Sequence, residues 1–241
     1  MGEQFDLFKY LNSSKKDVDT YRGDKSAGDK PRDLQDREEA SAETYLEKDV
    51  ILQKAGEIYS LEEFEKLCLG CQRCELRHGA KGVVFGEGNP EAEIMFVGEG
   101  PGAREDELGR PFVGTAGELL DRILSSAELS REIVYIGNVI KCRPPSNRTP
   151  SKEEIETCYP LLEKQIQLIN PAILVCLGSV AAKTLIKPNF AITKERGTWY
   201  KKDGRMIMPT FHPAALLRDP SKKRPVWEDI KQVVKLNEEI S

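Results

Sequence analysis

The sequence predicts an α/β fold, a three-layer sandwich with a central, mainly parallel four-stranded sheet and flanking helices. The first observation is a set of four short apolar runs, rich in β-branched residues, as is typical of strands buried on both faces. These runs are residues 94–97, 133–140, 173–177 and 206–208. The second observation is that helical patterns fill the intervals between the runs. They cover residues 115–127, 151–169 and 179–186.

The N-terminal part of the chain divides into an extension and the start of a domain. Residues 12–40 are dense in charged and small residues and poor in large apolar ones, which is typical of a flexible segment. We therefore expect a flexible extension over residues 1–43 and one domain over residues 44–241. Helical periodicity follows the extension, and Ser60 with Glu63 forms a candidate capping box within it.

The C-terminal part of the chain is predicted to contain a hairpin and a final helix. The dipeptide Asp203-Gly204 is a strong signal for a two-residue hairpin turn. We therefore expect the paired strands within residues 192–200 and 205–210. An amphipathic pattern over residues 226–236 predicts the last helix.

Composition places the chain among ordinary globular proteins of one domain. The chain has 241 residues, six cysteines and a formal net charge of −4. No apolar run is long enough to span a bilayer, and the start lacks the apolar core of a signal peptide, so the cytoplasm is the expected compartment. Cysteines are expected to be reduced or metal-bound there.

A basic cluster near His212 favours an anionic partner despite the negative net charge, although a solvated surface would look the same. The cluster comprises Lys201, Lys202, Arg205, Arg218, Lys222, Lys223 and Arg224.

Four of the cysteines are candidates for a metal centre. Cys71 and Cys74 form a Cys-x-x-Cys pair, and fifteen residues separate Cys142 from Cys158. Four thiolates can hold zinc or an iron–sulfur cluster, and the spacing alone leaves both open. Cys68 also forms a Cys-x-x-Cys pair with Cys71, so the spacing does not fix the ligands at this end of the set.

Three candidate site segments follow three of the predicted strands. A glycine-rich turn at residues 98–102 follows the first strand, Asn138 lies near the end of the second, and His212 follows the last. Ligands bind at the carboxyl ends of the strands in open α/β sheets, so we expect one shared crevice. Pro101 and the acidic residues nearby disfavour a dinucleotide at the turn, because a pyrophosphate needs free amides without neighbouring anions.

Three segments of the chain resemble the motifs of one enzyme family. Residues 98–102 (Gly-Glu-Gly-Pro-Gly) and 109–114 (Gly-Arg-Pro-Phe-Val-Gly) resemble the first motif of family 4 uracil-DNA glycosylases, the thermostable type with a [4Fe-4S] cluster. Residues 138–145 (Asn-Val-Ile-Lys-Cys-Arg-Pro-Pro) resemble their uracil-reading strand, and residues 211–218 (Phe-His-Pro-Ala-Ala-Leu-Leu-Arg) resemble their last motif. The resemblance covers roughly residues 71–234. It implies a monofunctional glycosylase that excises uracil from DNA in base-excision repair, with a non-catalytic nucleic-acid-binding module as the alternative.

The resemblance also implies the metal ligands. It assigns a [4Fe-4S] cluster, rather than zinc, to Cys71, Cys74, Cys142 and Cys158. Cys68 is left outside the ligand set.

The resemblance implies a role for each residue of the base pocket. Phe112 is expected to stack on the uracil face, and backbone amides around Gly100 to contact O2. The amide of Asn138 can pair with N3–H and O4 of uracil and reject the amino pattern of cytosine. His212 can donate a hydrogen bond to O2 as negative charge builds there.

The residue that positions the attacking water stays open at this point. Glu99, Glu105 and Asp106 are the available carboxylates, and all three are candidates for a catalytic role. The resemblance further implies that Glu105 guards the pocket against the methyl group of thymine.

Two contacts with macromolecules are expected outside the base pocket. Leu216 or Leu217 would fill the gap left by the flipped base, and Arg218 would hold phosphates. The segment from Gln4 to Phe8 (Gln-Phe-Asp-Leu-Phe) resembles the bacterial sliding-clamp pentapeptide Gln-Leu-(Ser/Asp)-Leu-Phe, from which it departs at the second position. This segment has two interpretations: it binds a sliding clamp as a partner, or it is an apolar start that matches the motif by chance.

Overall fold

The computed structural model of the protein describes residues 48–240. The predicted flexible extension and its boundary with the domain lie outside the described residues. The described part is an α/β fold around a six-stranded sheet. Its strands are β1 (Glu87–Gly88), β2 (Ile94–Gly98), β3 (Tyr135–Asn138), β4 (Ile173–Leu177), β5 (Tyr200–Lys202) and β6 (Arg205–Thr210).

The sheet has a parallel centre and two antiparallel edges. The strand order is β1-β3-β2-β4-β6-β5, and the four inner strands run parallel. Strands β1 and β5 pair antiparallel to β3 and β6. The mainly parallel four-stranded sheet is thus confirmed as the centre. Strand β5 corresponds to the first strand of the predicted hairpin, and β1 is the strand that the prediction lacked. Strand β1 contains two residues, too few to leave an alternating pattern in the sequence.

The helices of the described residues cover both faces of the sheet. They are α1 (Lys48–Gly56), α2 (Leu61–Leu69), α3 (Leu76–Gly79), α4 (Ala103–Leu108), α5 (Thr115–Ser126), α6 (Lys152–Ile169), α7 (Ser179–Leu185), α8 (Ile192–Glu195), α9 (Pro213–Arg218) and α10 (Lys223–Ile240). At the start of α2 the Ser60 hydroxyl accepts a hydrogen bond from the Glu63 amide at 3.1 Å, as the capping signal predicts. None of these helices combines the length and apolar character needed to cross a membrane.

Side chains that alternate along the strands create a core on each face. On β2, Met95 and Val97 pack into a cluster with α2 and α6, whereas Phe96 packs into a second cluster with α5 and α10. The two cores produce the predicted three layers. The layers leave the carboxyl ends of the parallel strands at one edge of the sheet.

The predicted hairpin is present, but its first strand is shorter than expected. Strands β5 and β6 join through Asp203 and Gly204, whose φ angles of 50° and 80° are those of a tight hairpin turn. The prediction of a strand over residues 192–200 is wrong, because its first four residues form helix α8. The Glu195 carboxylate accepts the amide hydrogen of Ala191 at 2.8 Å and so closes that helical turn.

Candidate active site and cysteine pocket

The predicted site residues meet at the carboxyl edge of the parallel strands. Gly98, the last residue of β2, pairs in register with Asn138, the last residue of β3. Strand β6 ends at Thr210, and His212 follows as the N-cap of helix α9. Phe112 reaches the same place from the loop between α4 and α5.

Gly98 is the point at which these side chains approach one another. A Cβ atom at Gly98 would lie 2.4 Å from Oδ1 of Asn138 and 2.5 Å from the ring of Phe112. The rings of Phe112 and His212 have centroids 5.5 Å apart and planes inclined by 30°. An amide and an aromatic ring therefore lie against a residue that has no side chain, and an imidazole lies beside that aromatic ring.

The pairing of β2 and β3 continues beyond the strands and places the glycine turn. The carbonyl of Glu99 accepts a hydrogen bond from the amide of Ile140 at 3.1 Å. A Cβ atom on Gly100 would lie 2.6 Å from the Ile140 side chain. Only glycine therefore allows this turn to lie so close to the segment after Asn138.

The Asn138 side chain is buried with an unused hydrogen-bond acceptor. The residue is 2% exposed, and its Oδ1 atom has no hydrogen-bond partner within the described residues. Leaving a buried polar atom unpaired costs about 1–3 kcal/mol. A ligand that offers an N–H group at this position would satisfy the acceptor.

His212 is held as one tautomer by its own helix. Its Nδ1 atom accepts a hydrogen bond from the amide of Ala214 at 3.1 Å. Because Nδ1 is the acceptor, the neutral ring carries its proton on Nε2. Burial, with a smaller contribution from Arg218, lowers the pKa of His212 to about 4. The ring is therefore a neutral Nε2–H donor near neutral pH.

The backbone around His212 is fixed by contacts on two sides. Thr210 donates its hydroxyl hydrogen to the buried carboxylate of Asp229 at 2.5 Å, and Arg196 pairs with the same carboxylate. Gly178 has a φ of +94°, and a Cβ atom there would lie 2.9 Å from Cβ of His212. A rigid frame thus sets the direction of the imidazole.

The three candidate carboxylates have different environments. Glu105 accepts amide hydrogens from Gly102 at 3.1 Å, Val113 at 3.0 Å and Gly114 at 2.9 Å, so both of its oxygens hold loops together. Asp106 is 3% exposed and accepts the amide hydrogen of residue 81 at 2.9 Å. Both carboxylates thus hold loops in place in this structure, and the catalytic role predicted for Glu105 and Asp106 stays a prediction.

Of the three candidate carboxylates, Glu99 is the one whose oxygens accept no hydrogen bond from the described residues and could contact a water molecule. It is half-buried, burial raises its pKa, and no described residue donates a hydrogen bond to its side chain. It also belongs to the glycine turn that faces Asn138.

The two leucines predicted to contact DNA have opposite environments. Leu216 is 1% exposed and packs in the core with Val226 and Ile230. The prediction that Leu216 contacts DNA is therefore wrong, because its side chain is an internal part of the fold. Leu217 is 47% exposed, and Arg218 beside it is exposed in the last turn of α9.

The basic cluster predicted near His212 separates into two groups. Lys201, Lys202 and Arg205 lie at the amino end of β6 and on its partner β5. His212 follows the opposite, carboxyl end of β6, so these three residues lie away from the site edge. The other basic residues follow His212 in α9, at Lys222 and at the start of α10.

The four predicted cysteine ligands line one pocket beside the sheet. Its wall is formed by Cys71, Cys74, Cys142 and Cys158 together with Arg77 and other residues, and its internal volume is about 10 Å³. Burial raises the pKa of Cys158 to about 12 and also raises that of Cys142. Binding of a metal centre would therefore have to displace thiol protons.

The two kinds of metal centre place different demands on the four sulfur atoms. Within residues 48–240, no group of three or more His, Cys, Asp or Glu side chains is drawn together closely enough to hold a metal ion. Zinc needs four ligands at about 2.3 Å from one point, whereas four cysteines in a [4Fe-4S] cluster bind at separate iron atoms. Four thiols at the wall of one pocket supply the donors that either kind of centre requires.

Lys141 lies between the cysteine pocket and the site edge. It is 1% exposed, and its Nζ atom donates to the backbone carbonyl of Asn138 at 2.9 Å and to the side chain of Gln165. It also contributes to the wall of the cysteine pocket. Sequence reasoning missed this residue, although a lysine that ends an apolar run just before Cys142 is a signal for a buried charge.

Comparisons with known proteins agree with this arrangement. Residues 85–231 match the family model described as the uracil DNA glycosylase superfamily. The chain is similar to a Type-4 uracil-DNA glycosylase of Sulfurisphaera tokodaii, with 45% identity over 186 residues, 73% of this chain and 84% of the relative. It is 48% identical to the Type-4 uracil-DNA glycosylase of Thermotoga maritima over 168 residues, 67% of this chain and 86% of the relative.

A more distant similarity helps to define the subgroup. A Type-5 uracil-DNA glycosylase of Thermus thermophilus is 31% identical over 150 residues, 54% of this chain and 68% of the relative. Identity and coverage are thus both higher for the Type-4 relatives than for this Type-5 protein.

The state of His212 can be tested by a pH titration of the two imidazoles in the folded protein, followed by nitrogen NMR. We expect His212 to be neutral and protonated at Nε2 at pH 6, because its pKa is lowered to about 4. His78, whose side chain is 63% exposed, provides the second imidazole signal for comparison. Stability should also fall as pH drops from 6.5, the ordinary pKa, towards 4, because the unfolded chain takes up the proton first. A cationic His212 at pH 6 would contradict this assignment.

Proposed function

The chain belongs to the uracil-DNA glycosylase superfamily, with Type-4 enzymes among its relatives, and from this premise we infer that it excises uracil from DNA. It is a hydrolase acting on N-glycosyl bonds, and uracil removal initiates base-excision repair. The observation that supports this best within the chain is the buried, unpaired Oδ1 of Asn138 beside an aromatic ring and a neutral imidazole.

Base recognition is proposed to depend on Asn138. Its unpaired Oδ1 would accept N3–H of uracil, and its amide hydrogens would be donated to O4. Cytosine presents an acceptor at N3 and an amino donor at position 4, so both contacts would be repulsive. The target must leave the base stack to reach this buried group.

Phe112 and His212 are proposed to hold and activate the flipped base. The ring of Phe112 would stack on the face of uracil, next to the imidazole. As the bond between C1′ and N1 breaks, its electron pair passes to uracil and negative charge builds on O2. The Nε2–H group of His212 would stabilise that charge, and backbone amides around Gly100 would assist.

Glu99 is proposed to position the water molecule. Water adds to C1′ of the deoxyribose as the sugar becomes positively charged, and its oxygen becomes the C1′ hydroxyl group. The Glu99 carboxylate would accept the proton that the water loses, and solvent would return a proton to the departing uracil anion. A half-buried carboxylate on the glycine turn can orient this water and stabilise the positive charge. Gly100 next to it keeps the turn close to the base.

Contact with the DNA strand is proposed for the exposed end of helix α9. Leu217 would enter the gap left by the flipped nucleotide, since its apolar side chain is exposed directly after the segment that bears His212. Arg218 would neutralise a neighbouring phosphate.

Excision can be tested on a short oligonucleotide with one uracil, under single-turnover conditions. We expect the wild type to release free uracil, and His212→Ala and Asn138→Ala to react about 10²-fold more slowly, as is typical when one donor to a developing anion is lost. Asn138→Asp should begin to accept cytosine, because a carboxyl group presents a different hydrogen-bond pattern. Binding of DNA without release of uracil would favour the non-catalytic alternative, and unchanged rates in both alanine variants would refute the pocket.

We propose that a [4Fe-4S] cluster occupies the cysteine pocket, held by Cys71, Cys74, Cys142 and Cys158. The presence of four buried or half-buried thiols at the wall of one pocket supports this, as does the similarity to Type-4 enzymes. When bound, the cluster supplies covalent links between the segment before the sheet, the loop after β3 and helix α6. We also propose a cytoplasmic location, where thiols stay reduced, which cell fractionation can test.

The cluster predicts colour, iron content and a distinct pattern among cysteine variants. Anaerobically purified protein should be brown, with about four irons per chain. Cys142→Ala and Cys158→Ala should lose colour and unfold at lower temperature. Cys68→Ala is the matched control, because Cys68 is buried beside Cys71 but does not line the pocket, and it should keep its iron. Stoichiometric zinc in place of iron would contradict the proposal.

We further propose that the segment from Gln4 to Phe8, outside the described residues, binds a sliding clamp. Leu7 and Phe8 would fill an apolar pocket, and the charged segment that follows would tether the enzyme at replicating DNA. A peptide of residues 1–12 should bind the host clamp at about micromolar concentration. Leu7→Ala with Phe8→Ala should abolish binding of the full chain and leave excision on short oligonucleotides unchanged. The absence of binding by the intact protein at clamp concentrations in the high micromolar range would contradict the proposal.

A further inference from the structure

Phe112, the proposed stacking residue, has a strained backbone. Its φ angle is 52°, in the left-handed region that a bulky side chain rarely adopts. Such a conformation is energetically unfavourable and persists only where the surroundings impose it. The neighbours of the Phe112 peptide therefore decide where its ring lies.

Two residues constrain this peptide directly. A Cβ atom on Gly117 would lie 1.8 Å from the carbonyl oxygen of Phe112, so the first turn of α5 accepts that carbonyl only because residue 117 is glycine. The guanidinium of Arg131 donates to the same carbonyl and, at 3.0 Å, to the carbonyl of Pro111. The peptide is thus held between a helix and a two-pronged donor.

Arg131 is itself oriented by two carboxylates. Its Nε atom donates to Oδ1 of Asp121 at 2.7 Å, and its Nη1 atom lies 3.7 Å from Oε1 of Glu87. Glu87 also accepts two hydrogen bonds from Arg110, at 2.8 and 2.9 Å. Arg110 lies two residues before Phe112. Glu87 therefore contacts both the segment that leads into Phe112, through Arg110, and the guanidinium that binds the Phe112 carbonyl, through Arg131. Edge strand β1, which sequence reasoning missed, is the element that places Glu87 there.

We propose that Arg131 is a positioning residue for base recognition, which holds the Phe112 peptide in its strained conformation so that the ring covers the base. The inference rests on the proposed function, since it concerns the same pocket. Arg131 acts through Phe112 and does not itself contact the substrate. Its side chain is 18% exposed. Its three nitrogen atoms donate to two carbonyls and one carboxylate and lie near a second carboxylate, an arrangement that the planar fork of arginine allows and lysine cannot reproduce.

Arg131→Lys tests this inference in the full-length protein, because lysine keeps the charge but cannot donate in a fork. The measurement is the inhibition of single-turnover excision by free uracil, whose inhibition constant does not depend on the fraction of active enzyme. We expect the variant to bind uracil about 10-fold more weakly, within the range that stacking of a base on an aromatic ring contributes. Arg205→Lys is the control, since Arg205 donates to Asn170 and to the carbonyl of Asp203 at the opposite end of β6.

Two further variants keep the test decisive. In a Phe112→Ala background Arg131→Lys should add little, because both changes act through one ring, whereas independent effects would multiply. Asp121→Asn, at a side chain 47% exposed, should weaken uracil inhibition in the same direction without affecting folding. Unchanged uracil inhibition in Arg131→Lys and Asp121→Asn, or multiplicative effects with Phe112→Ala, would overturn the inference. A wild type that releases no uracil would instead overturn the proposed function.

Discussion

The lack of a side chain at Gly98 is the constraint on which the site depends. Asn138 and Phe112 both occupy space that any Cβ atom at this position would need. The parallel pairing of β2 and β3 brings Asn138 opposite Gly98, and the strained loop brings Phe112 over it. The placement of the proposed base-reading residues therefore follows from the register of two strands and from the lack of a Cβ atom at Gly98, while a separate strand, β6, positions His212.

Strand β3 links this site to the cysteine pocket. Asn138 ends the strand, Cys142 lies four residues further on, and the buried ammonium of Lys141 donates to the Asn138 carbonyl between them. Its other partner, Gln165, belongs to the same helix as Cys158. Burial lowers the pKa of Lys141 to about 8, whereas the nearby thiols Cys158 and Cys68 act to raise it. One buried side chain thus contacts both the strand end that carries Asn138 and the helix that carries Cys158.

The sequence predicted the parts of the fold that rest on long, repeated patterns. Four buried strands leave continuous apolar runs, and the Asp203-Gly204 turn leaves a local signal. Strand β1 leaves neither signal, so the sequence could not predict that its residue Glu87 pairs with Arg131. Motif positions likewise identified Asn138 and His212, but they could not separate Leu216 from Leu217, because only tertiary packing decides which of two adjacent leucines faces the core. The same limit applied to Glu105, whose three amide partners come from two loops.

The central claim is that the unpaired Oδ1 of Asn138 reads the N3–H group of uracil. The most direct measurement compares free uracil with 3-methyluracil as inhibitors of excision by the wild-type protein. Methylation replaces the N3 hydrogen and leaves both carbonyl groups and the ring face available for stacking. The account predicts that uracil inhibits and that 3-methyluracil does not at the same concentrations. Equal inhibition by the two compounds would contradict it.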